Sequence, residues 1–107
     1  MKPGTLVTLA FPGANGIKRR PALVVSTENY HNERPDVILA LVTTKIQKAI
    51  SSTDYILQDW STSGLRQPSA VRMYLHTEDQ SQITYMGELS ETDWLEVQKR
   101  LRLAVEI

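Results

Sequence analysis

The run Val37-Ile38-Leu39-Ala40-Leu41-Val42 does most to limit what this chain can become. Six apolar residues are far too few to cross a bilayer, which takes about 20 in a helix. At this length an unbroken apolar run reads as a strand buried on both faces, hence a central one. Ala22 to Ser26 is a second short apolar strand. Each has polar groups at one end: Lys18-Arg19-Arg20-Pro21 leads into Ala22, and Thr43-Thr44-Lys45 follows Val42. Three successive cations do not belong in a core, because burying an unpaired charge is very costly. Beside a rigid strand they make a fixed positive site, where a guanidinium can grip a phosphate through two parallel hydrogen bonds. The pattern points to phosphodiester chemistry or nucleic-acid binding.

The remaining segments supply strands and one helix. Thr5 to Phe11 alternates, with Thr5, Val7, Leu9 and Phe11 on one face. Pro12 to Gly16 is a turn and loop. Pro21 heads the strand at Ala22 to Ser26, where its missing N–H does least harm. Asn29 to Pro35 reads as a polar loop, Ile46 to Ile50 as a short helical turn, Thr53 to Leu57 as a weaker fourth strand, and Trp60 to Gly64 as a turn. Ser69 to Leu75 alternates again, and Ile83 to Met86 is one further short strand. The period then changes. Ser90 is an N-cap with Asp93 in capping-box position, and Trp94, Val97, Leu101 and Ala104 recur at helical spacing. The expectation is a mainly β (α+β) domain over residues 1–107. It is a small, partly open antiparallel barrel rather than a sandwich, followed by a C-terminal α-helix.

Composition narrows the chemistry. Cysteine is absent, which excludes disulfides, thiolate catalysis and cysteine-ligated zinc. The first residues lead directly into a strand pattern, so no signal peptide is expected and a cytoplasmic location is the default. Net charge is zero, an unpromising total for a nucleic-acid binder. It hides an asymmetry: residues 1–72 carry nine Lys/Arg against five Asp/Glu, and residues 73–107 three against seven. A basic body with an acidic tail segment can present a positive face locally.

Taken in order, these segments resemble the MazF/PemK family of toxins, the RNA-cleaving halves of type II toxin–antitoxin pairs. The matching residues are Gly4, Phe11-Pro12, Arg20-Pro21-Ala22-Leu23-Val24-Val25-Ser26, Val37 through Thr43, Ser69-Ala70-Val71-Arg72, and Ile83 through Ser90. The resemblance implies an SH3-like barrel, a homodimer, and endoribonuclease activity on single-stranded RNA with no metal or other cofactor. It also implies a cognate antitoxin that covers the RNA groove. By the same resemblance Arg20 and Thr43 are catalytic, and Arg72 matches an arginine that some members use. Two departures stand out. Thr5 replaces an acidic residue common after the early glycine, and Tyr74 stands where some members have a carboxylate.

The residues can be read without the family. Metal-free RNA cleavage needs a base for the 2′-hydroxyl, an acid for the leaving oxygen, and stabilisation of the phosphorane charge. Arg20 suits the last role, since its charge is fixed and its fork matches phosphate. Thr43 can bind the phosphate or orient the 2′-hydroxyl, but ends strands in many proteins simply as a good β-former. Arg72 is a second clamp, or an exposed residue paired with a carboxylate such as Asp54. Lys18, Arg19, Thr44, Lys45 and Lys48 are candidate RNA contacts. His76, directly after the later strand, is the better histidine for acid–base work, and His31 lacks any metal-ligand pattern. Tyr30 in its polar loop is the best base-stacking aromatic, ahead of Trp60 and Tyr74. Trp94 is packing. Two rival functions keep the fold: a non-catalytic SH3-like interaction module, and a gyrase-directed toxin that cuts nothing.

Overall fold

The computed structural model describes residues 1–14 and 16–107, with the side chains of residues 11–13 outside that description. The expected place of Phe11 on the face of Thr5, Val7 and Leu9 and the turn role of Asn15 therefore lie outside the described residues. Six strands form one antiparallel sheet: β1 (Thr5–Gly13), β2 (Gly16–Val24), β3 (Asp36–Thr43), β4 (Tyr55–Ile56), β5 (Ala70–Asp79) and β6 (Ile83–Glu88). Their order is β4-β5-β3-β2-β1-β6, so β3 is central as its apolar run requires. α1 (Glu28–Glu33) lies between β2 and β3, and α2 (Glu91–Ala104) ends the chain. Among the described residues no helix is long and apolar enough to cross a membrane.

β3 is buried on both faces because two clusters sandwich it. Leu6, Leu23, Ala40, Val42 and Val71 point to one side, together with Tyr55, Leu57, Leu65 and Val97 of α2. Val7, Leu9, Ala22, Val24, Val37 and Leu39 point to the other. Neighbouring residues of one strand thus feed opposite clusters, as strand alternation demands. No ladder joins the edges β4 and β6, and the SH3-like barrel stays partly open there. The seam is narrowed by contact instead. The 3₁₀ turn Trp60–Ser63 lies so close to β6 that a Cβ on Gly87 would overlap the Ser63 carbonyl.

Four sequence expectations are corrected. The cations Lys18, Arg19 and Arg20 do not merely lead into the strand but lie within it: β2 starts at Gly16 and pairs with β1 from Gly13↔Gly16 onward. Pro21 sits inside that strand rather than at its head. It is tolerated because β3 pairs only with Ala22 to Val24, so the chain before Ala22 is free on that edge. Asn29 to Pro35 is largely helix, not loop. Thr27 caps α1 by accepting from the Tyr30 N–H, and six residues are too few to show a period. Finally, β5 runs four residues past Leu75, carried by its pairing with β3 down to Asp36↔Asp79.

The C-terminal helix is as expected, with a twist at its start. The Ser90 hydroxyl accepts from the Asp93 N–H at 3.1 Å. Asp93 does not complete a capping box. Its fully buried carboxylate accepts from the Tyr55 hydroxyl at 2.7 Å and from the backbone N–H groups of Gln58 and Asp59 at 3.1 and 2.8 Å. That carboxylate therefore fastens α2 to β4 and the segment after it.

Candidate nucleic-acid interface

Register places the three expected catalytic residues on one face. Ala22 pairs with Leu41, and Leu41 pairs with Arg72, so these residues form a row across β2, β3 and β5. Thr43 pairs with Ala70 in the next row. The β2–β3 ladder stops at Ala22, where Pro21 offers no further donor. Continued by two residues, the same register sets Arg20 level with Thr43. Arg20, Thr43 and Arg72 thus leave the sheet on the side of Ala22 and Leu41, at the end where β2 begins, β3 ends and β5 begins.

Charge concentrates at that end. Residues 16–22, 41–54 and 64–72 contain seven Lys/Arg and one carboxylate, Asp54. Around α1 and the far end of β5 the balance reverses, with Glu28, Glu33, Asp36, Glu78 and Asp79 against Arg34. An antiparallel sheet with a net charge of zero therefore has one positive end.

Each side chain has a distinct state. Arg20 and Lys18 are exposed and form no ion pair among the described residues. Thr43 is half-buried, and its Oγ1 accepts the Lys45 N–H at 3.1 Å, which leaves its own O–H free to donate. Arg72 donates from Nε to Asp54 Oδ1 at 3.3 Å. Its guanidinium also lies 5.0 Å from the centre of the Tyr74 ring. The Asp54 side chain is only 3% exposed, and its second oxygen accepts the Ser51 N–H at 3.0 Å. With both oxygens occupied, Asp54 orients Arg72 and leaves its Nη groups without a hydrogen-bond partner among the described residues.

Other expected contacts fare differently. Arg19 lies on the opposite face from Arg20. It bonds to Thr8 Oγ1 at 2.9 Å through Nε and at 2.7 Å through Nη2, and to Thr84 Oγ1 at 2.8 Å, which ties β2 across β1 to β6. Thr44 is also on that side, where a groove of about 440 Å³ includes both residues. Lys45 precedes the 3₁₀ turn Ile46–Lys48 and Lys48 ends it, at the positive end. Tyr30 is no free stacking platform. It sits in α1, its hydroxyl donates to Asp36 Oδ2 at 2.6 Å, and Arg34 covers its ring at 5.3 Å. That hydroxyl, more than Arg34, holds the Asp36 carboxyl below its ordinary value. His76 lies within β5, not after it. It pairs with Leu39, beyond the bulge between Ala40 and Leu41, so it does not join the row of Arg72. His31 bridges the Ser26 hydroxyl at 2.5 Å and the Met1 carbonyl at 2.8 Å, a structural tie. Trp60 and Trp94 pack against the larger core cluster. Among the described residues no cluster of acidic and histidine side chains is arranged to hold a metal ion. Sequence reasoning missed Arg66, which lines the groove with Arg19 and follows the turn without any motif to mark it.

The fold class is a six-stranded SH3-like half-barrel with a terminal helix and one basic end. The family model described as PemK-like, MazF-like toxin of type II toxin-antitoxin system matches residues 2–105, and the chain belongs to that family. Solved structures agree on the fold. A mycobacterial endoribonuclease in complex with its cognate antitoxin is 18% identical, with 97% of this chain and 93% of that one covered at a TM-score of 0.80. The MazE-MazF structure (Form-II) from Deinococcus radiodurans is 21% identical over 100% of this chain and 96% of the other, with a TM-score of 0.76. Mycobacterium tuberculosis toxin MazF-mt6 is 20% identical over 96% and 95%, with a TM-score of 0.72. No curated protein sequence matches the chain.

Proposed function

We propose that this toxin is a metal-independent endoribonuclease that cuts single-stranded RNA in the cytoplasm. The observation that carries the reading is the shared face of Arg20, Thr43 and Arg72 at the positive end of β2, β3 and β5. Arg20 is unengaged and supplies a fixed charge to the phosphorane oxygens. The Thr43 hydroxyl, already accepting from Lys45, donates its proton to a phosphate oxygen or aligns the 2′-hydroxyl. Arg72, held through Nε by Asp54, offers its Nη groups as the second clamp. Attack by the neighbouring 2′-hydroxyl leaves a 2′,3′-cyclic phosphate on one product. A cognate antitoxin that covers this face belongs to the same reading, supported by the likeness to MazE-MazF structures, and a homodimeric toxin is part of it.

Purified protein incubated with a long defined RNA in EDTA tests it. The expected result is discrete cuts whose 5′ fragments end in cyclic phosphate. Cleavage only after magnesium is added would contradict the scheme. A toxin that arrests growth and inhibits gyrase while leaving RNA intact would replace it.

A further inference from the structure

We infer that the groove behind the proposed catalytic face is a second RNA site, which takes a nucleotide of the same strand away from the scissile phosphate. This rests on the ribonuclease reading. Adjacent strand residues point to opposite faces, so Arg19 stands back to back with Arg20, and Thr44, just past the end of β3, lines the same groove as Arg19. One arginine–threonine pair therefore faces each side of the same unladdered gap between β2 and the end of β3. On the far side the pair opens into the groove of about 440 Å³, with Arg66 and Ser69 as further polar lining and Leu65 and Met86 as apolar lining. That volume falls within the common range for small-ligand pockets, about 300–1,000 Å³. Its composition suits a nucleotide: cations and hydroxyls for a phosphate, and an apolar wall for a base.

Arg19 is pre-positioned. Its bonds to Thr8 and Thr84 fix the guanidinium, so little side-chain freedom remains to be lost on binding. Arg66 is exposed and makes no ion pair among the described residues, which makes it the cleaner probe. RNA is favoured over an acidic peptide because the groove adjoins the face that would hold the scissile phosphate, across the thickness of one sheet.

The test measures binding of a long single-stranded RNA to the Arg20→Ala protein, with and without Arg66→Ala, by fluorescence anisotropy at several salt concentrations. Arg66→Ala is expected to weaken binding about tenfold at low salt and to reduce the slope of log K against log[salt] by about 0.7, the share of one phosphate contact on a single strand. Arg66→Glu should weaken binding further. Unchanged affinity and slope in both variants overturn the second site alone, with cleavage by the otherwise native protein intact. Unchanged RNA binding with loss of antitoxin binding also overturns it and reassigns the groove to a protein. A protein with Arg20 and Arg66 both native that neither binds nor cuts RNA brings down the ribonuclease reading and this inference together.

Discussion

Arg20 and Arg72 share a face, but their removal should have different consequences. Arg20 is exposed and bonded to nothing described, so Arg20→Ala should change stability by less than about 0.5 kcal/mol. Its cost falls on catalysis: losing one preorganised donor to the transition state typically lowers kcat about 10²- to 10³-fold. Arg72 is different, because it neutralises a carboxylate that is 3% exposed. Breaking a buried pair by removing one partner costs about 3–5 kcal/mol. Arg72 itself is 21% exposed and Asp54 keeps the Ser51 N–H, so the expected loss is smaller, about 2 kcal/mol. For a chain of this size that lowers Tm by roughly 8 °C. The double variant Arg72→Ala with Asp54→Asn should recover most of the stability, since the amide oxygen can still accept from Ser51, yet stay as inactive as Arg72→Ala. Thermal unfolding by circular dichroism and single-turnover cleavage of a defined RNA measure both quantities. Equal melting temperatures for Arg20→Ala and Arg72→Ala, or no recovery in the double variant, would refute the role given to Asp54.

Three more outcomes follow from the same geometry. Asp93→Ala strands the Tyr55 hydroxyl and two backbone N–H groups, and urea unfolding should show a loss of about 3 kcal/mol or more; a loss under 1 kcal/mol would mean that the carboxylate does not fasten the helix. Gly87→Ala forces β6 away from Ser63, so it should destabilise the protein by about 1–3 kcal/mol and speed amide exchange at the seam, an expectation that wild-type exchange rates would defeat. Burial, then the hydrogen bond to Asp93, raises the Tyr55 phenol above its ordinary 10.0. A raised folded value gives stability that is complete below pH 10 and lost as pH climbs through that folded value. Unfolding of the wild type should therefore become easier in strong alkali, and Tyr55→Phe should flatten that limb of the profile.

Much was legible in the chain alone, for reasons of period and of chemistry that short-range sequence expresses. The apolar run of β3 could only be central. Ser90 had to cap a helix, because the sequence switches there from period 2 to period 3.6. The ordered motifs around Arg20 and Thr43 were enough to mark the family resemblance. Tertiary structure decided the rest. Three cations and a proline made Lys18 to Pro21 look like a polar lead-in to the strand, and only pairing with β1 along one edge, with the other edge free, let them be strand. Once they were strand, alternation sent Arg19 and Arg20 to opposite faces, a choice that no local property of two adjacent arginines contains. Asp93 looked like a cap and became a buried tether, because the backbone of Gln58 and Asp59 was brought within reach from 35 and 34 residues away. Sequence sets what a residue can do over a few neighbours. Which of those options is used depends on partners that folding alone brings near.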